Sequence, residues 1–179
     1  MTSQATKFII EGRSGIGKTT VCRDVARQLK GSWVAATGIL TSEIDDFGRR
    51  LGLHTEIIGG MSFDLAHVTN ESKTRHENWG VDLEALERFA IPAIRGGRGV
   101  TIVDELGPIP LMSTPFREAV ASLFLRPGLV IATAPAVFNR FTDDLAGLDG
   151  VEILPLNFHT RPTLSDELVK LVRAGLARR

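Results

Sequence analysis

One stretch constrains this chain more than any other: Phe8-Ile9-Ile10-Glu11-Gly12-Arg13-Ser14-Gly15-Ile16-Gly17-Lys18-Thr19-Thr20. A glycine, four residues, then Gly-Lys-Thr is the spacing of a loop that cradles nucleotide phosphates. The flanks supply the context that the motif needs. Phe8 to Ile10 is a short apolar run of strand type, and Val21, Val25 and Leu29 follow at helical spacing. A glycine-rich strand–helix turn with a chance lysine would show the glycines without both flanks.

The chemistry of such a stretch is geometric. Gly12, Gly15 and Gly17 admit backbone conformations closed to other residues. The loop N–H groups can then converge on phosphate oxygens, at the positive end of the following helix. Lys18 is expected to reach the β- and γ-phosphates, and the Thr19 hydroxyl to ligate Mg²⁺.

A second segment completes this chemistry. Val100-Thr101-Ile102-Val103-Asp104-Glu105 is an apolar run ending in two acids, 86 residues after Lys18 (104 minus 18). Asp104 is expected to hold Mg²⁺ as the acidic partner of Thr19. Glu105, one position on, is placed to orient or deprotonate an attacking water. Thr133 also ends a strand and could hydrogen-bond that water or the γ-phosphate. Charge spreads over a phosphoryl group in transfer, and arginines commonly meet it. The candidates are Arg49, Arg50, Arg140 and Arg161.

Between these segments strand and helix alternate. Strands are expected at Lys7–Glu11, Trp33–Leu40, Val100–Val103, Leu129–Thr133 and Val151–Leu154, with Trp33 in the core. Helices are expected over Lys18–Lys30, over Leu83–Ile94 (capped by Asp82 and interrupted by Pro92), and over Pro115–Leu125. A loose pattern from Val137 to Leu145 and a last helix, with a Thr163/Asp166 capping box, complete the set. Residues 41–79 break the alternation. Asp45-Asp46-Phe47-Gly48 reads as the turn of a β-hairpin, Met61–Val68 as a further strand, and Thr69–Trp79 as a mobile loop. Gly96 to Gly99 reads as a turn. The whole predicts one α/β domain over residues 1–179: a mostly parallel sheet with helices on both faces and a hairpin-and-loop insertion. Ligands in such sheets bind at the carboxyl ends of strands, where Gly12 and Asp104 both fall.

Composition narrows the partners. Lys and Arg number 21 and Asp and Glu number 21, so net charge gives no reason to expect nucleic acid or an anionic membrane. Cys22 is the one cysteine and is expected to be a small buried hydrophobe. His54, His67, His76 and His159 lack metal-ligand spacing. No apolar run reaches membrane-spanning length, and Met1 to Lys7 has no signal-peptide core, so a soluble, cytoplasmic protein is expected, with a monomer favoured.

At this point the chain resembles a known family, the small P-loop nucleoside-triphosphatases that include a thermophilic-bacterial enzyme and a human cancer-related nucleoside-triphosphatase. The resemblance spans nearly the whole chain. It rests on Gly12-Arg13-Ser14-Gly15-Ile16-Gly17-Lys18-Thr19-Thr20, on Gly38–Ile44 with Gly48–Gly52, on Trp79–Glu84 with Phe89–Pro92, and on Asp104-Glu105-Leu106-Gly107 with Leu111, Ser113 and Phe116. The last two sets are the most specific, because generic P-loop proteins lack them. The resemblance implies a RecA-like sheet and slow, Mg²⁺-dependent hydrolysis of ATP, GTP and other nucleoside triphosphates to diphosphates. Its nucleotide contacts fall at Gly12 to Thr20 and at Val103, Asp104, Glu105, Leu106 and Gly107. Asp45 departs from it, standing where arginine is usual, as do Pro108, Ile109 and Arg13.

Two rivals share parts of this pattern. A nucleotide, nucleoside or polynucleotide kinase uses the same loop, with residues 69–79 as an acceptor lid. A GTP-dependent switch ranks lower, because no Asn/Thr-Lys-x-Asp segment is present to read guanine.

Overall fold

The computed structural model describes residues 6–95, 97 and 99–178. Gly96 and Arg98 of the expected turn, and Met1 to Ala5 of the N-terminal stretch, lie outside those described residues.

β1 (Lys7–Gly12) leads through the glycine loop into α1 (Lys18–Lys30). Successive side chains on a strand face opposite ways. Phe8 and Ile10 therefore pack in one apolar layer with Val21, Cys22, Val25 and Leu29 of α1. Ile9 packs in the layer on the other face. An unbroken apolar run is what a strand covered on both faces requires.

The remaining strands are β2 (Ala36–Asp46), β3 (Arg49–Ile57), β4 (Ser62–His67), β5 (Arg75–His76), β6 (Trp79–Val81), β7 (Val100–Val103), β8 (Leu129–Pro135) and β9 (Val151–Pro155). They form one nine-stranded sheet in the order β5-β6-β4-β3-β2-β7-β8-β1-β9. The expected mostly parallel sheet is corrected here: the sheet is mixed. β1–β8, β1–β9, β2–β7 and β7–β8 are parallel, and β2–β3, β3–β4, β4–β6 and β5–β6 are antiparallel. The cause lies in β2. Its first residues, Ala36 to Ile39, pair with β7, and the same strand runs on to Asp46 against β3. A tight turn can join only antiparallel strands. The hairpin thus extends the sheet itself. Its turn lies at Phe47 and Gly48, both at positive φ, and the Gly48 amide donates to Asp45 Oδ1 at 3.0 Å.

α1 and α6 (Leu164–Leu176) cover one face, through Leu164, Leu168, Val169 and Val172 of α6. The other face carries α2 (Leu83–Ala85), a π-helical turn over Leu86–Ala90, α3 (Ile91–Arg95), α4 (Thr114–Leu125) and α5 (Arg140–Ala146). The π turn directly precedes Pro92. Proline lacks the N–H for the residue four before it, and its ring crowds that carbonyl, so one wider turn accommodates it. The extra residue rotates the buried face to Leu86, Ala90, Ile91 and Ile94.

Four local expectations need correction. Trp33 is 96% exposed rather than in the core. α1 ends at Gly31 in right-handed geometry, and the chain makes its left-handed step at Trp33 (φ 60), ahead of the strand. The Thr163 side chain makes no capping bond to α6. Residues 69–79 are not all loop, since β5 pairs with β6 through them. The loose helix starts only at Arg140, behind an Asn139 cap, and leaves Val137 and Phe138 exposed. Among the described residues no helix is long and apolar enough to cross a membrane.

Candidate active site

The site forms where β1, β7 and β8 end beside the middle of β2. Gly15 (φ 74) and Gly17 (φ 107) hold left-handed backbone in the loop. Gly12 serves differently: a Cβ there would meet Ile16 at 2.9 Å and the Leu156 carbonyl at 3.0 Å. Arg13, Ser14 and Gly15 are exposed, whereas Ile16 is buried in the α1 layer. Lys18 is 7% exposed. Its ammonium donates to the carbonyls of Gly12 at 3.0 Å and Arg13 at 3.3 Å, folding back over the loop.

The second acidic segment meets this loop. Lys18 Nζ and Glu105 Oε2 are 3.9 Å apart. Asp104 is 1% exposed, and its two oxygens are held by different strands. The Thr133 hydroxyl of β8 donates to Oδ1 at 2.5 Å, and the Thr41 amide of β2 donates to Oδ2 at 3.1 Å. The Thr19 hydroxyl donates to the Thr41 carbonyl at 2.9 Å, which brings Thr19 to the same strand end.

Burial pushes the Asp104 carboxyl above its ordinary range. The hydroxyls of Thr133 and Thr19, the Thr41 amide and the Lys18 charge oppose that rise. Glu105 is raised as well, first by burial; Lys18 and Arg50 pull it down, while Asp104 and Glu43 push it up. Burial raises the Cys22 thiol beneath them, and Asp104 adds to the effect. Cys22 is 0% exposed, the small buried hydrophobe that was expected.

The cleft above the loop has about 230 Å³ and is walled by Ser14, Gly15, Gly17, Lys18, Thr19, Thr20, Thr41, Ser42, Glu43, Leu53 and Glu105. A second lobe of about 270 Å³ shares Ser14, Lys18, Leu53 and Glu105 and extends to Arg50, His76, Glu77, Trp79, Pro108, Ile109 and Pro135.

The structure sorts the arginines. Arg50 lines the outer lobe, its guanidinium 5.6 Å from the centre of the Trp79 ring. Arg161 reaches the loop, with its Nε 3.3 Å from where a Cβ on Gly17 would stand. Arg49 sits beside the hairpin turn, exposed and outside both cleft walls. Arg140 is 90% exposed, and its guanidinium reaches Asp144 at 3.9 Å. Val103 and Leu106 send their side chains into the core, so only their backbone borders the site. Gly107 packs under Glu105, where a Cβ would stand 2.5 Å from Oε1.

Sequence reasoning missed Thr41 and Glu43. The one signal for them was their place just after a strand that ends beside the glycine loop. Thr133 was seen as a strand-end hydroxyl, and the structure places it on Asp104.

The donor set around Asp104 suits a hard cation. Its hydrogen-bond partners are a hydroxyl and a neutral amide, which leave a buried carboxylate without full charge compensation. Mg²⁺ needs only one or two protein oxygens, with phosphate and water completing its shell.

Comparison with known proteins agrees with this geometry. A family profile described as NTPase matches residues 7–169. Nucleoside-triphosphatase THEP1 of Thermotoga petrophila is 31% identical over 170 residues, covering 93% of each chain. The crystal structure of THEP1 from the hyperthermophile Aquifex aeolicus superposes with a TM-score of 0.81 at 27% identity, over 93% of this chain and 98% of that one. The solution structure of a human cancer-related nucleoside triphosphatase gives 0.78 at 26% identity, over 96% and 98%.

Proposed function

This chain belongs to the NTPase family and is a nucleoside-triphosphatase, and from that premise we propose how its residues divide the work. The loop amides from Gly12 to Thr20 bind the phosphates at the start of α1. Lys18 exchanges the carbonyls of Gly12 and Arg13 for phosphate oxygens. Thr19 and Asp104 hold Mg²⁺, which when bound offsets phosphate charge. Glu105 accepts a hydrogen bond from the attacking water and takes its proton. The products are diphosphate and inorganic phosphate. Arg50 and Arg161 stand where a guanidinium can meet the charge that spreads over the transferring group. Both ATP and GTP are proposed as substrates, in keeping with relatives that are named nucleoside-triphosphatases rather than for one base. Slow turnover and a cytoplasmic location belong to the same proposal, with a monomer favoured over an oligomer, and the parallel strands, which run β9-β1-β8-β7-β2, support the RecA-like reading.

The observation that carries this reading is the 3.9 Å separation of the Lys18 ammonium and the Glu105 carboxylate over one cleft. The test is phosphate release from ATP and from GTP with Mg²⁺, comparing the natural chain with Glu105→Gln. The variant is expected to lose about 10²- to 10⁴-fold in kcat while still binding nucleotide. Unchanged release removes Glu105 from its role.

One observation favours a second reading. The outer lobe beside Glu105 is far larger than a water molecule, as a phosphoryl acceptor of the kinase kind would need. Stoichiometric transfer to an added nucleoside or nucleotide, with faster ATP loss, would establish it.

A further inference from the structure

We propose that Glu43 is a positioning residue: it holds Arg50 away from the reacting phosphate and gives it up when a nucleotide binds. This rests on the reading above, in which Lys18 binds phosphate oxygens and Glu105 takes the attacking water.

One oxygen of Glu43 has two partners. Its Oε1 accepts the Ser14 hydroxyl of the phosphate loop at 2.9 Å and stands 2.9 Å from an Arg50 guanidinium nitrogen. A single carboxylate thus ties the hairpin to the loop. Both ties point to the same exchange. Ser14 and Arg50 are donors that a phosphate oxygen can take, and Glu43 is an anion standing where anionic phosphates must enter. An arriving triphosphate therefore repels the carboxylate and attracts its two partners.

The balance of strengths favours release. The Arg50 and Glu43 side chains are 51% and 38% exposed, and ion pairs so exposed are weak. Guanidinium–phosphate pairs are charge-assisted and frequently bidentate. Arg50 also has a short way to go, because it already shares the outer lobe with Glu105 and Lys18. Its guanidinium lies near the Trp79 ring, 5.6 Å from the centroid.

The experiment is steady-state hydrolysis of Mg²⁺-ATP by Glu43→Gln, Glu43→Asp, Arg50→Ala and the Glu43→Gln/Arg50→Ala double variant. Arg50→Ala is expected to lower kcat. Glu43→Gln is expected to raise kcat/KM by about 2- to 5-fold, the scale of an ion pair this exposed that must break as the nucleotide binds. Glu43→Asp, which keeps the charge, is expected to return kcat/KM toward the natural value. In the Arg50→Ala background Glu43→Gln is expected to leave kcat/KM at the level of Arg50→Ala alone, which makes the two effects non-additive. A merely structural or purely electrostatic role for Glu43 would not depend on Arg50. Two kinetic outcomes overturn the proposal: a kcat/KM in Glu43→Gln that fails to rise, or the same rise in both backgrounds. A second readout leaves Glu43 in place. The chain has two tryptophans, so Trp33→Phe makes Trp79 the sole indole. Adding Mg²⁺-ATP is then expected to change Trp79 emission, and that change is expected to vanish with Arg50→Ala. Constant emission overturns the proposal. Full activity in Lys18→Ala and Glu105→Gln would instead sink the reading of the site itself.

Discussion

The Thr133 hydroxyl stands 2.5 Å from Asp104 Oδ1, at the ends of two neighbouring strands, and donates to it. The opposite oxygen takes the Thr41 amide, so the carboxylate is fixed from both sides. A carboxylate held in this way presents a set direction to a cation. Thr133→Val is therefore expected to weaken apparent Mg²⁺ affinity or activity about 10- to 100-fold, as loss of a partner behind a metal ligand usually does. Thr133→Ser is expected to retain most of it. Phosphate release titrated against Mg²⁺ measures both.

The same carboxylate is costly to bury. Burial raises the Asp104 carboxyl above its unfolded value, so the folded chain holds the proton more tightly. Below the unfolded value both states are protonated and the penalty is absent. As pH rises through the raised folded value, folding must bury a charge and stability falls. Asp104→Asn is expected to raise the nucleotide-free Tm at about pH 8, by about 2–4 °C for each kcal/mol recovered. The advantage should fade toward about pH 4, where the natural residue is itself protonated. Thermal melts across that range test the sign.

Gly107 lies against the free end of Glu105, and a Cβ there would come within 2.5 Å of Oε1. A side-chain end can move aside, so Gly107→Ala is expected to displace the carboxylate and leave the fold intact. A misplacement of about 1 Å can cost as much as 10²-fold in rate. The expected result is a fall in kcat with an unchanged Tm.

Ser113 sits 1% exposed at the start of α4. It accepts from the Phe116 amide at 3.1 Å and donates to Glu87 Oε1 at 2.7 Å. Ser113→Ala removes both bonds. The expected loss is about 0.5–2 kcal/mol of stability, measured by urea unfolding, with kcat unchanged.

How much of this was legible depended on the range over which each signal acts. The glycine loop and the two acids are local motifs, and neighbouring parallel strands bring their ends together. The hairpin turn was visible too, because Asp45 and Gly48 are local turn chemistry. Which strands the hairpin would join was not, since nothing within residues 36–57 states that one strand serves two partners. Trp33 misled because apolar identity outweighed its place two residues after a helix-ending glycine. Thr41 and Thr133 hold Asp104 across sequence separations of 63 and 29 residues. No periodicity connects such positions. Thr163 and Asp166 matched a capping pattern, yet the Thr163 side chain makes no cap bond to α6.

β1 lies between β8 and β9, and its first residue pairs with Val130 on one side and Val151 on the other. During synthesis, β1 emerges before β8 and β9 and must therefore wait for both. From Lys7 to Val130 is 123 residues (130 minus 7). At roughly 5–20 residues per second that delay is about 6–25 s, during which Phe8, Ile9 and Ile10 have neither flanking strand. The nascent chain thus carries this apolar segment unsheltered until β8 is made, and slowing the ribosome before that point should increase its dependence on chaperones.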